Sequence, residues 1–366
     1  MQSVGIGIVG SGFMGRTYAE CLTKYNEAAT LIGITGGSRA KDLACEYGVE
    51  TLPDFASMLD RKDIDAVVLA TPHQLHAEEV IAAAGKGKHI LVEKPMATSV
   101  ADCNAMIAAC RAANVILSVI KTLRFRGVVS RAKRLIEAGQ IGRIRMIQAT
   151  ALFPWPSETN ELFRDKKWHC MPPAGGSLLD RGTHIFDALR WLIADEPVRV
   201  YGSVRSFRAQ PWLAYSAMVQ VDFSQGASAQ VWTSEEIPVP GFPNSRYLMR
   251  IWGEKGIMEF EGFTKLQIAT PKGWELVWEQ PPIDFVARPL DPSRLEAFHI
   301  QMQDFIDSLR FGKYPSVTGE DGRAAVEMVQ AAYLSTLTGS VTHLPIPRSE
   351  GGFQFDGATV PRELIS

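Results

Sequence analysis

Hydrophobic positions in the first third of the chain switch repeatedly between two patterns. Short, largely apolar runs at Val4–Val9, Leu31–Ile34, Ala66–Ala70, His89–Val92 and Val115–Val119 have the length and make-up of buried strands. Between them apolar residues recur every three or four positions, notably over Leu75–Ala84 and Val100–Ala113, which predicts helices. Strict alternation of the two predicts a doubly wound parallel sheet.

The pattern changes near Lys121. A helix near Val128–Ala138 and a strand near Ile144–Leu152 lead into the loop Phe153-Pro154-Trp155-Pro156, and a further helix is predicted over Ser177–Ile193. Strand then follows strand. Val219, Val221 and Phe223 alternate with Gln220 and Asp222, the period of a half-buried strand. Arg246–Trp252 with Gly256–Phe260, and Lys265–Thr270 with Trp274–Glu279, flank short glycine-containing turns and read as antiparallel hairpins. Helices over Leu295–Leu309 and Glu320–Thr338 come last. We therefore expect two domains: residues 1–122 around the parallel sheet, and residues 123–366 as an α+β domain with a large, mostly antiparallel open sheet. Trp232, Trp252 and Val231 are expected on a face of that sheet left open by helices, where it would pair subunits into a homodimer or homotetramer.

Composition narrows the classes. A chain of 366 residues with 46% hydrophobic and 21% charged residues can bury full cores. Forty acidic against 38 basic residues give a net charge of −2, so charge offers no argument for nucleic acid or an anionic membrane as partner. The five cysteines are odd in number and lack CxxC spacing, which reads as reduced thiols. The first strand leaves no room ahead of it for a signal segment, and no apolar run approaches the roughly 18 residues of a membrane span. A soluble cytoplasmic protein is the expectation.

Three segments carry chemistry. The first apolar run leads straight into Gly10-Ser11-Gly12-Phe13-Met14-Gly15, and helical spacing follows at Tyr18, Cys21, Leu22 and Tyr25. Strand, glycine turn and helix in that order form a dinucleotide cradle: Gly10 permits the turn, Gly12 lets backbone approach a pyrophosphate, and Gly15 lets helix pack on strand. The loop residues Gly10, Gly12, Phe13, Met14 and Gly15 are thus the first cofactor candidates. Second, the fourth strand ends in Glu93-Lys94-Pro95, where the proline holds Lys94 extended at a ligand-binding strand edge; a lysine there can donate to a substrate oxygen. Third, if the segment beginning at Gly175–Asp187 is helical, Asp180, His184, Asp187 and Trp191 fall on one stripe and Leu178, Gly182, Ile185, Leu189 and Leu192 on the packed one. A histidine with a carboxylate one turn earlier suits proton exchange near neutrality. Ser177-x-x-Asp180 also fits a capping box, which would give Asp180 a structural role.

Taken together, these segments resemble the Gfo/Idh/MocA oxidoreductases, the family of glucose–fructose oxidoreductase and inositol dehydrogenase. The resemblance covers essentially the whole chain and extends to Thr71-Pro72-x-x-x-His76 and Ala331-Ala332-Tyr333-Leu334-Ser335. It implies an N-terminal Rossmann domain, a nicotinamide cofactor and hydride transfer between a secondary alcohol and a ketone. It makes Lys94 the catalytic lysine and Asp180 with His184 the acid/base pair. It implies that Glu93 and Pro95 hold the nicotinamide end, while Thr71, Pro72 and His76 line the cofactor groove. The nicotinamide is then expected to face both Lys94 and His184. Ser177 replaces the family's third glycine, and Trp168-His169 stands where a Trp-Arg pair is common. Adjacent His169 and Cys170 have no second ligand pair at zinc spacing, and no metal is expected.

The end of the second strand reads Thr35-Gly36-Gly37-Ser38-Arg39, with no acid for a ribose 2′-hydroxyl before Asp42. Ser38 and Arg39 could cradle a 2′-phosphate, which favours NADP(H); Arg39 stacking on adenine or capping the next helix is the competing account, with NAD as cofactor. The resemblance implies a sugar or cyclic polyol, with Lys94, Asp180 and His184 at its reacting group. Trp155 and Trp168 would offer flat faces and His169 a polar contact, unless these aromatics pack between domains or subunits. A non-sugar substrate such as an aromatic dihydrodiol, or a non-catalytic nucleotide-binding regulator on the same fold, are the alternatives.

Overall fold

The computed structural model describes residues 3–154, 176–207, 215–281, 283–284 and 287–347. The chain divides into two compact units. The first comprises Met1–Ala97, Ala101–Phe125 and Asp284–Arg323; the second comprises Thr98–Val100, Arg126–Ile283 and the chain from Ala324.

The first unit alternates as its apolar pattern predicts: β1 (Val4–Val9), α1 (Phe13–Tyr25), β2 (Ala29–Thr35), α2 (Ala40–Tyr47), β3 (Glu50–Thr51), α3 (Phe55–Leu59), β4 (Ala66–Leu69), α4 (His76–Gly85), β5 (His89–Val92), α5 (Val100–Ala112) and β6 (Leu117–Val119). The six strands are parallel in the order β3-β2-β1-β4-β5-β6, the doubly wound Rossmann arrangement. β1 is buried along its whole length, as a strand covered on both faces must be. The two-residue β3 is exposed and apolar nowhere, which is why its sequence carries no strand pattern.

A late helix joins this unit. α8 (Pro292–Phe311) starts at the side-chain cap of Asp291, with Pro292 in its first turn, and buries Met302, Phe305 and Ile306 against Ile6, Ile8, Tyr18 and Leu22.

The second unit holds α6 (Gly127–Glu137), α7 (Thr183–Ile193) and a nine-stranded sheet. Its strands are β7 (Ile144–Pro154), β8 (Pro197–Arg205), β9 (Ser216–Phe223), β10 (Ser228–Ile237), β11 (Leu248–Gly253), β12 (Ile257–Glu261), β13 (Lys265–Thr270), β14 (Gly273–Glu279) and β15 (Thr342–His343). The order is β14-β13-β12-β11-β7-β10-β9-β8-β15, with β7–β10 parallel and every other pairing antiparallel. The two expected hairpins are β11–β12 and β13–β14. Helix α9 (Gly319–Thr338) lends Ser335 and Thr336 hydroxyls to β8, where a Cβ on Gly202 would meet Ala332 O at 2.7 Å.

One expectation fails here. Val231 is fully buried, whereas Trp252 is 55% exposed and Trp232 half-buried. Neighbouring residues on a strand point to opposite faces, so Val231 lies on the covered face and Trp232 on the other. The open face instead presents Met146, Tyr201, Met218 and Trp252, each about half exposed. Among the described residues no helix is long and apolar enough to cross a membrane.

Candidate functional site

In the first unit the candidate residues gather along the carboxyl ends of the strands. Gly10 turns the chain after β1 with a φ of 110°, and a Cβ there would stand 2.4 Å from Ala70 O. A Cβ on Gly15 would stand 1.9 Å from Gly10 O, so α1 can lie this close to the loop only with glycine at that position. Gly12 differs. Its φ is −78°, and among the described residues the one atom within 4 Å of a Cβ built on it is Arg39 Nη2, at 3.9 Å. Packing among the described residues does not demand glycine there. Beside it, the first turn of α1 has no side-chain cap and no acidic residue. Open space over a glycine at an uncapped helix N-terminus fits a pyrophosphate, which the backbone N–H groups and the helix dipole would hold.

Ser38 and Arg39 are exposed on the turn after β2, and Arg39 forms the N-cap of α2 without a side-chain cap bond. The turn runs against the glycine loop, where a Cβ on Gly37 would come 2.6 Å from Ser11 Oγ. No carboxylate occupies this turn.

Thr71, Pro72 and His76 frame the loop between β4 and α4. His76 is fully buried, with Nδ1 3.0 Å from Pro95 O and Nε2 3.1 Å from Thr71 O. A neutral ring donates to one of these carbonyls at a time. Burial lowers the pKa of His76 to about 4 against the pull of those oxygens, so the ring stays uncharged and ties the Thr71 loop to the Lys94–Pro95 turn. Thr71 Oγ1 donates to Glu79 at 2.5 Å; burial raises that carboxyl to about 7. In the same loop Gln74 Oε1 is buried and accepts no hydrogen bond from the described protein.

Lys94 is half-buried just beyond β5. Its own N–H donates to Glu93 Oε2 at 2.8 Å, and the buried Glu93 also accepts from the Tyr18 hydroxyl. Glu93 therefore acts on the backbone of Lys94. Pro95 and Met96 behind it are buried. The structure thus gathers the glycine loop with Arg39, and the Thr71–His76 loop with Glu93, Lys94 and Pro95.

In the second unit the segment from Gly176 to Ile193 is one helical run, as expected, but Leu178–Gly182 is a π-turn leading into α7. π-turns inside helices recur at functional sites. Asp180 sits in this turn, buried, and His184 follows half-buried in α7. Ser177 makes no side-chain cap bond, so the capping box does not form. Leu178, Ile185, Leu189 and Leu192 pack inward, as does Asp187.

The hub of this group is a residue the sequence reading passed over. Arg181 Nε donates to Glu235 Oε1 on β10 at 2.9 Å and lies 3.4 Å from Asp180 Oδ2. Its guanidinium carbon stands 4.5 Å over the Phe153 ring. Burial opposes its charge, yet the two carboxylates hold its pKa above the ordinary value. Tyr247, buried and pushed up to about 12 by that burial, sets its ring edge-on to His184 at 5.8 Å, to Phe153 at 5.7 Å and to Phe263 at 5.6 Å. Arg181 was visible inside the Asp180–His184 motif as a lone cation in an apolar stripe. Glu235 lies 54 residues away in sequence and gave no local signal. Trp155, Trp168, His169 and Cys170 lie outside the described residues, and among those described no group of three His, Cys, Asp or Glu side chains is arranged to hold a metal ion.

Comparison with known proteins agrees with this geometry. Residues 4–121 match an oxidoreductase family with an NAD-binding Rossmann fold, and residues 129–259 match the GFO/IDH/MocA C-terminal domain. Levoglucosan dehydrogenase of Pseudarthrobacter phenanthrenivorans is 35% identical over 207 residues, covering 53% of this chain and 52% of that protein; the chain thus spans about half the length of this relative. Inositol 2-dehydrogenase 3 of Saccharopolyspora erythraea is 26% identical over 96% of this chain and 98% of its own. A solved complex of levoglucosan dehydrogenase with NADH and levoglucosan superposes with a TM-score of 0.80 at 26% identity, covering 94% of this chain and all of that one. The chain belongs to the Gfo/Idh/MocA oxidoreductase family.

Proposed function

We propose that this protein is a nicotinamide-dependent dehydrogenase that interconverts a secondary alcohol and a ketone on a sugar, a cyclic polyol or a derivative of one. One observation carries the reading. A single sheet edge offers both a pyrophosphate cradle after β1 and a half-buried lysine after β5, two strands away. A dinucleotide bound on Gly12 would run along that edge toward Lys94. The relatives named for levoglucosan and inositol supply the substrate class.

When bound, the nicotinamide supplies the hydride acceptor or donor. Lys94 Nζ donates to the substrate oxygen and stabilises the negative charge that grows there on oxidation. Neutral His184 takes the hydroxyl proton, and returns it in reduction. Asp180, held by Arg181, orients the imidazole. Trp155, Trp168 and His169 remain the candidates for gripping the sugar ring.

We infer NADP(H) as the preferred cofactor, because Arg39 reaches the cradle and no carboxylate competes for the ribose. We infer further that copies of the chain associate through the open face bearing Met146, Tyr201, Met218 and Trp252; a monomer by light scattering at micromolar concentration would overturn that.

The test is turnover of NADPH and NADH against a panel of sugars and polyols. His184→Ala should lower kcat by roughly 10²–10⁴-fold while cofactor affinity holds, and unchanged turnover refutes the assignment.

A further inference from the structure

Beneath the glycine loop lies a set of buried polar side chains that the proposed reaction does not itself use. Tyr18 from α1, Glu93 from the end of β5 and Arg294 from α8 are each at least nine-tenths buried. The Tyr18 hydroxyl donates to Glu93 Oε1, and the other oxygen of that carboxylate accepts the Lys94 N–H at 2.8 Å. Arg294 donates from Nη2 to Thr17 Oγ1 at 3.1 Å and from Nη1 to Pro289 O at 2.5 Å. Its guanidinium carbon stands 4.5 Å over the Phe13 ring and 5.0 Å over Phe298.

Phe13 directly follows Gly12 and opens α1. The guanidinium therefore rests on the pyrophosphate loop with one face, while its charge acts on Tyr18, Cys21 and Glu93. Burying an arginine and a glutamate costs several kcal/mol per ion unless both are well partnered, and an apolar filling of the same volume is often no less stable. Stability alone gives this group little reason to be polar. Arg294 touches the nucleotide loop through Phe13, Glu93 holds the backbone of Lys94, and the Tyr18 hydroxyl bonds to Glu93.

We propose that Arg294, Tyr18 and Glu93 form a positioning relay that aligns Lys94 with a dinucleotide bound on the glycine loop. A pyrophosphate fixes the first turn of α1, and with it Phe13 and Thr17. Arg294 follows Phe13 and Thr17, Tyr18 moves with the same helix, and Glu93 passes the adjustment to the Lys94 N–H. No proton or electron changes place. The three are positioning residues; Lys94 is the group that meets substrate. The inference rests on the assignment of Lys94 proposed above.

Tyr18→Phe tests it, because the ring volume stays and only the hydroxyl leaves. Acylation of Lys94 by acetic anhydride, read by peptide mapping, is measured with and without saturating NADPH and NADH. Cofactor Kd by fluorescence, kcat, KM and Tm are measured alongside. In the wild type we expect bound cofactor to slow acylation of Lys94. In Tyr18→Phe we expect cofactor Kd to stay within about twofold, protection of Lys94 to be lost and kcat to fall about tenfold with KM little changed. Arg294→Lys keeps the charge but not the flat face over Phe13, and should fall between the two.

Protection and kcat equal to wild type in both variants, with only Tm lowered, would reduce the relay to structural packing and overturn it. Failure of the cofactor to protect Lys94 in the wild type, with Lys94→Ala still turning over, instead overturns the dehydrogenase assignment of that lysine, and the relay with it.

Discussion

Arg181 Nε donates to Glu235 Oε1 at 2.9 Å, and this bond ties the π-turn carrying Asp180 to strand β10. Without the guanidinium, Asp180 and Glu235 would be two carboxylates with side chains only 13% and 19% exposed and the cation between them gone. Arg181→Met should therefore lower stability by about 1–3 kcal/mol and kcat by roughly tenfold or more, whereas Glu235→Gln keeps an acceptor and costs less. Steady-state kinetics beside thermal melts check this: kcat unchanged in the folded Arg181→Met protein would show that the bond serves packing only.

The glycine loop permits a sharper contrast. Among the described residues, and apart from its chain neighbours, a Cβ on Gly12 meets nothing closer than 3.9 Å, while one on Gly15 meets a carbonyl oxygen at 1.9 Å. Gly12→Ala should melt like the wild type and bind NAD(P)H at least tenfold more weakly. Gly15→Ala should lose stability first. Full cofactor affinity in Gly12→Ala would remove the pyrophosphate from that position.

Cofactor choice turns on Arg39. If it holds a 2′-phosphate, Arg39→Ala should cut kcat/KM for NADPH by about ten- to a hundredfold and leave NADH nearly unchanged. Equal losses with both cofactors would place Arg39 on the adenine instead, and a tenfold preference of the wild type for NAD would end the NADP(H) assignment.

The buried His76 and the half-buried Glu79 give stability opposite slopes with pH. His76 has its pKa lowered from 6.5 to about 4, so the unfolded chain takes up a proton that the folded one refuses. Its contribution is complete above 6.5 and drains away as pH falls toward 4, by about 3 kcal/mol. Glu79 runs the other way. With its pKa raised from 4.5 to about 7, its contribution is whole below 4.5 and is lost as pH rises through 7. The two offset between 4.5 and 6.5. Melts of His76→Asn should flatten the acid side, and Glu79→Gln should gain on the wild type above neutrality; parallel curves for all three proteins would contradict both shifts.

Much of this was legible in the residues. β1, the glycine loop and α1 follow from an apolar run, three glycines and helical spacing, all local signals. The hairpins β11–β12 and β13–β14 follow from alternation around glycine turns. What stayed hidden depends on long-range pairing. Nothing near Arg294 announces a partner 277 residues earlier in Thr17, and Arg181 meets Glu235 on β10 across 54 residues of sequence. The face to which Val231 points follows from strand period alone, since its neighbour Trp232 must face the other way.

Helix α8 bears on how the protein is made. Met302, Phe305 and Ile306 fill the core beside β1 and α1, and burying three such side chains is worth about 5–9 kcal/mol as an upper bound. That is comparable to the whole net stability of an ordinary domain. The nucleotide-binding unit, though its strands are complete by Val119, cannot close until translation has passed Phe311. Nascent chains stalled after residue 125 should accordingly stay open to protease, and strands β7 to β14 are synthesised while that core still waits for its last wall.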